Sequence, residues 1–128
     1  MQKLETMAEE NLSTSFPHSD LHHTYESPFT HRYGSAAMRE LFSPHRKYAT
    51  WRKIWIALAE SEQELGLPIT DEQIQEMKQH QSSIDFSLAE HYENELQHDV
   101  MAHIKTYGAI CPAARPIIHL GATSCLVT

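Results

Sequence analysis

The stretch Ser43-Pro44-His45-Arg46-Lys47-Tyr48-Ala49-Thr50-Trp51-Arg52-Lys53-Ile54-Trp55-Ile56-Ala57-Leu58-Ala59-Glu60-Ser61-Glu62-Gln63-Glu64-Leu65-Gly66-Leu67-Pro68 decides the fold. Tyr48, Trp51, Trp55, Leu58, Ala59, Glu62 and Leu65 recur at steps of three and four, and all but Glu62 suit a packed face. Ser43 is a good N-cap and Pro44 suits the first helical position, where a missing N–H costs nothing. Gly66 can adopt the left-handed conformation that closes a helix, and Pro68 discourages continuation. The pattern predicts a helix from about Pro44 to Leu65. Its tryptophans sit at helical spacing, which reads as core and not as a base-stacking platform.

Outward from this helix the chain reads as all-α, with no alternating strand pattern and no internal repeat. Toward the N-terminus, a short helix is expected from about Ser35 to Phe42. Tyr25 to Tyr33 holds Ser27-Pro28 and runs into Gly34, an extended or turning segment. Residues 1–24 carry no amphipathic stripe and are expected to be a mobile tail. Toward the C-terminus, Thr70-Asp71-Glu72-Gln73 is a capping box that opens a helix ending near Gln79. Asp85 is expected to cap one long final helix through Phe86, Leu88, Ala89, Tyr92, Leu96, Val100 and Ile104, ended by Gly108. Pro112 to Leu120 reads as extended, and Thr123 or Ser124 as the cap of a further helix.

Composition bounds the function. An apolar fraction of 41% with 21% charged residues is ordinary for a water-exposed globular domain. A net charge of −7 argues against a general nucleic-acid surface, which needs clustered Lys and Arg. Cys111 and Cys125 have no metal-pair spacing and do not resemble a disulfide framework. Met1 to Glu10 has no apolar core, and no run approaches the ~18 apolar residues that span a bilayer, so the expected location is cytoplasmic without membrane association.

Polar groups that suit chemistry collect in the last third. Gln97-His98-Asp99 presents donors and an acceptor that suit either a polar ligand or a solvated face. His98 and His103, read on one helix, lie about 140° apart around it, which disfavours a metal pair. Asp99 and His103 are spaced for a helix-surface ion pair. Gly121 followed by Thr123 and Ser124 suits a carboxylate or phosphate, or equally a plain N-cap. Arg32-Tyr33 is a further polar pair, in which Arg32 could fork onto an anion. No phosphate loop, nucleophile elbow or zinc-protease motif is present.

Five segments in order, Tyr25-Glu26-Ser27-Pro28, Arg32-Tyr33, Leu67-Pro68-Ile69-Thr70, His98-Asp99-Val100-Met101-Ala102-His103 and Ile118-His119-Leu120-Gly121-Ala122-Thr123-Ser124, resemble the adenylosuccinate lyase family of the fumarase and aspartase superfamily. The resemblance covers about residues 25–128. It implies an N-terminal helical domain over 25–111, with 112–128 forming a substrate-binding turn and the start of a central domain whose helical bundle lies beyond Thr128. It further implies a homotetramer that cleaves adenylosuccinate to AMP and fumarate, and the succinyl-carboxamide ribotide of purine synthesis likewise, without a cofactor or metal.

Carried over by position, Arg32 and Tyr33 hold the nucleotide at its phosphate, and Gln97, His98 and Asp99 contact substrate. Many relatives have a basic residue where Gln97 stands. His98 orients substrate and assists proton transfer, and Thr123 and Ser124 grip the succinyl portion. The family's principal general-acid histidine and catalytic serine lie downstream of Thr128, so the resemblance implies no turnover by the 128 residues alone. A carboxymuconate cycloisomerase-like enzyme, with its similar Gly-Ala-Thr-Ser turn, and a non-catalytic helical interaction module are the alternative readings.

Overall fold

The computed structural model describes residues 25–128, and the expected mobile tail at 1–24 lies outside the described residues. The chain divides into two compact units, one ending at Gly34 and the other spanning Ser35–Thr128. In the first, Phe29–Tyr33 forms a single π-helical turn, closed by the Gly34 N–H donating to the Phe29 carbonyl at 2.7 Å. This turn satisfies the turning half of the sequence expectation and buries none of its residues.

The second unit is built from α1 (Ala36–Leu41), α2 (Pro44–Glu64), α3 (Asp71–Gln79), α4 (Phe86–Leu96) and α5 (Asp99–Ile110), with a short 3-10 turn at Ser124–Leu126. No strand occurs among the described residues. α2 begins as its sequence demands: the Ser43 side chain accepts from the Arg46 N–H, and Pro44 occupies the first turn. It ends at Gly66, whose φ of 91° lies in the left-handed region.

The buried arc of α2 is Trp51, Arg52, Trp55, Ile56, Ala59 and Glu62. Two residues expected to pack differ: Leu58 is only half-buried and Leu65 is 81% exposed, because Leu65 is the C-cap where the chain turns away. Ile56 and Arg52 take up the remaining arc. Around Trp51 and Trp55 gather Ile74 and Met77 of α3, Val100 and Tyr107 of α5, and Cys111, Ala114, Ile117 and Ile118 beyond it.

Arg52 is an ion inside this core, which is costly unless its N–H groups find acceptors. One terminal nitrogen donates to the carbonyls of His80 and Ser83 at 2.7 and 2.8 Å, and the guanidinium lies 4.2 Å from the Tyr107 ring centre. Burial pulls its pKa down, while Tyr107 and Cys111 act in the opposite direction. Gln81 donates to the Ala49 carbonyl and His45 bonds the Ser82 carbonyl, so the loop between α3 and α4 is pinned along α2.

α3 opens with the expected capping box between Thr70 and Gln73. It also clasps α5 and the segment that follows it. Gln73 donates to the Ala113 carbonyl at 3.0 Å, Glu76 accepts from the Ala114 N–H at 2.9 Å, and the Tyr107 hydroxyl donates to the Met77 carbonyl. Residues 112–121 are therefore not extended, as their prolines suggested. They form consecutive turns, with Arg115 N–H on the Cys111 carbonyl, Ile117 on Ala114 and Leu120 on Ile117.

The expected long final helix is two helices, broken at Gln97-His98. Gln97 has φ 51°, ψ 39°, a left-handed conformation that ends α4, and His98 is extended at φ −150°. Apolar periodicity runs through the break, which is why the pattern hides it. Gly108 does not end α5, which continues to Ile110. A Cβ there would stand 3.0 Å from Cγ of Arg115, so glycine permits Arg115 to lie across the helix.

Candidate functional site

The break between α4 and α5 sets the site's geometry. Because Gln97 turns left-handed, the chain re-enters a helix with His98 as its N-cap, and the His98 Nδ1 accepts from the Met101 N–H at 3.2 Å. A backbone N–H can only donate, so Nδ1 carries no proton in this arrangement, and the neutral ring keeps its proton on Nε2. His98 is exposed, so a fixed imidazole offers an Nε2–H donor at the surface. Asp99 follows in the first turn, favourably placed for the helix dipole, with Oδ1 accepting from the Val100 N–H at 2.8 Å. Gln97 donates through its side chain to the Asn94 carbonyl at 3.0 Å.

His103 is not the surface ion-pair partner its spacing suggested. It is 4% exposed and lies flat on Tyr48, with ring centres 3.6 Å apart and planes at 14°, and edge-on to Trp51. Both residues lie on α5, and the face that carries His103 packs on α2. Burial, followed by the positive charge of Arg52, pulls its pKa down to about 4 against the weaker opposing pull of Asp99. The angular argument about His98 and His103 also lapses, because His98 precedes the helix. Among the described residues no three His, Cys, Asp or Glu side chains cluster as metal ligands.

The clasped 112–121 segment delivers His119, quoted within a motif but not singled out from the sequence. Its ring meets Trp55 edge-on at 6.1 Å, and its Nδ1 is buried with no partner among the described residues. Burial and, secondarily, His98 lower its pKa. The available signal was a histidine ending the apolar run Ile117-Ile118, where a ring is half-buried by its neighbours. Gly121 then takes φ 70°, and Thr123 heads the 3-10 turn without a side-chain cap bond. Thr123 is exposed and Ser124 half-buried. The plain N-cap reading of these hydroxyls is therefore not what the structure shows.

Arg32 and Tyr33 belong to the first unit. There the Arg32 guanidinium lies 5.4 Å from the Tyr33 ring centre, and both side chains are exposed.

In class, the second unit is an all-helical scaffold with a capping histidine at a helix junction. No family model matches the chain. It is 53% identical over 103 residues to the adenylosuccinate lyase of Schistosoma mansoni, covering 80% of this chain and 22% of that protein. It is 51% identical over 108 residues to the adenylosuccinate lyase of Schizosaccharomyces pombe, with 82% and 22% covered. The adenylosuccinate lyase of Methanocaldococcus jannaschii is 33% identical over 100 residues, with 76% and 21% covered. The chain belongs to the adenylosuccinate lyase family. It spans about a fifth of the length of these relatives.

Proposed function

We propose that this chain supplies part of the substrate-binding surface of a C–N lyase that eliminates fumarate from adenylosuccinate, leaving AMP, and from the succinyl-carboxamide ribotide of purine synthesis. The observation that carries this reading is His98, exposed at the α4–α5 break with Nδ1 held by the Met101 N–H and Nε2 left to donate. In the elimination a proton leaves the carbon next to a carboxylate, the C–N bond breaks, and the departing nitrogen is protonated. A fixed Nε2–H donor orients the substrate and stabilises charge that builds on it. Gln97 and Asp99 flank that donor, Thr123 and Ser124 offer hydroxyls to the succinyl carboxylates, and Arg32 with Tyr33 takes the phosphate. The principal acid and base belong to residues after Thr128, in a cytoplasmic homotetramer that needs no cofactor.

The test is conversion of adenylosuccinate by the protein expressed from its natural reading frame, followed by the ultraviolet change as AMP forms. His98→Gln should lower turnover about 100-fold, the scale of a lost proton-transfer or orienting group. A folded tetramer that converts nothing would overturn the lyase reading in favour of a cycloisomerase or a binding module.

A further inference from the structure

About two helical turns past His98 along α5, a cleft of about 280 Å³ opens between α4, α5 and the turns after Pro112, lined by Tyr92, Ile104, Lys105, Ala109 and Arg115. It has no part in the proposed lyase chemistry, and its own ligand chemistry is independent of that reading. The chain carries only ten Lys and Arg against seventeen Asp and Glu, yet two of those cations line this one cleft. Among the described residues neither Lys105 nor Arg115 is paired with a carboxylate.

Arg115 is held in place. Its Nε donates to the Gly108 carbonyl at 3.0 Å, and its stem crosses Gly108 where a Cβ would crowd it. The two terminal nitrogens have no partner among the described residues, leaving the planar fork that matches a carboxylate with two parallel bonds. Lys105 sits 5.3 Å from the Tyr92 ring centre, steadied by the ring without being neutralised. The rest of the lining, Ile104 and Ala109 with the Tyr92 ring, is apolar. The volume falls just below the range of about 300–1,000 Å³ usual for drug-sized ligands, which suits a smaller molecule.

We propose that this cleft binds a small organic carboxylate with a flat apolar body, its carboxylate on the Arg115 fork and near Lys105, its body over Ile104, Ala109 and Tyr92. Inorganic phosphate would use the cations but leave the apolar floor uncovered, and a neutral amide of the same shape would leave the fork unmatched.

Titrating the 128-residue chain with sodium benzoate while recording amide NMR spectra tests this, with benzamide and inorganic phosphate as matched probes. Saturable shifts from benzoate should centre on Tyr92, Ile104, Lys105, Ala109 and Arg115. Arg115→Ala should weaken binding about tenfold, the scale of a lost charge-assisted bond. Ala109→Leu, at an exposed helix position, should fill the floor and weaken binding with both cations retained. It also decides the matter if Arg115→Ala fails to fold, helix content being checked by circular dichroism. Equal shifts from benzamide, equal affinity for phosphate, shifts scattered over other cationic surface, or indifference to Ala109→Leu would each overturn the proposal.

Discussion

α2 and the junction between α4 and α5 are built on opposite terms. In α2 the local signals for one helix agree, from cap and first-turn proline through apolar period to the glycine after its end, and the apolar part of its inner arc is the core. At the junction the local preferences disagree. The apolar period of α4 continues into α5, yet Gln97 takes a left-handed conformation that disfavours a side chain, and His98 spends its ring nitrogen on a cap. Where preferences agree the chain gains stability, and where they conflict it gains a fixed, outward-facing polar group.

Removing the agreement should cost most. Trp55 is fully buried at the meeting of α2, α5 and the clasped turn, so Trp55→Ala should lose about 3–5 kcal/mol by denaturant unfolding. A loss below about 1 kcal/mol would mean that the helices are not organised around it.

A second, smaller effect reads the face where the junction's helix meets α2. His103 holds a folded pKa of about 4, below an unfolded value of about 6.5, so between these limits the unfolded chain binds the extra proton. Its contribution is complete above about pH 6.5 and is lost as pH falls toward 4, on the order of 3 kcal/mol. His103→Phe keeps the stacking on Tyr48 and removes the titration, so its stability should fall less steeply across that window. His119, also lowered, accounts for a residual slope of the same sign. Parallel pH profiles for the two chains would show that His103 is not buried as a neutral ring.

These contrasts also mark what was legible in the sequence. The all-α class, α2, the capping box of α3 and the short helix α1 follow from local signals, because each is decided by residues within a turn of one another. The Gln97 break was hidden by the apolar period running through it, and the interior place of Gly108 and the turns over 112–121 because partners outside their own turns decide them: Arg115 across Gly108, and Gln73 and Glu76 of α3 holding Ala113 and Ala114. The buried Arg52 was unreadable for the same reason, its acceptors lying in the loop at His80 and Ser83. Of the site, the cluster Gln97-His98-Asp99 was visible as composition, but its geometry was not. His103 looked like surface because its spacing from Asp99 suits an ion pair, whereas its ring is stacked on Tyr48 of α2.

The junction's conflict can be relieved directly. Gln97→Gly removes the left-handed penalty and should raise stability by roughly 0.5–1 kcal/mol, after allowing for the greater freedom glycine has when unfolded. In the protein from its natural reading frame the same change should lower lyase turnover by loosening the hinge that aims His98. A stabilised chain with unaltered turnover would separate the break from the site.

The smallest effect sharpens the comparison most, because it sets two threonines at helix starts against each other. Thr70 accepts from the Gln73 N–H within a full capping box, so Thr70→Ala should cost about 1 kcal/mol. Thr123 occupies the same kind of position before Ser124–Leu126, but its side chain makes no cap bond and it is exposed, so Thr123→Ala should change stability by less than about 0.5 kcal/mol. A hydroxyl that the fold does not use is free for a ligand, and the proposed grip on a succinyl carboxylate predicts a raised KM for adenylosuccinate in Thr123→Ala with the melting temperature unmoved. Equal stability losses at the two threonines would show that Thr123 does cap its turn, and the case for a spare hydroxyl would fall with that result.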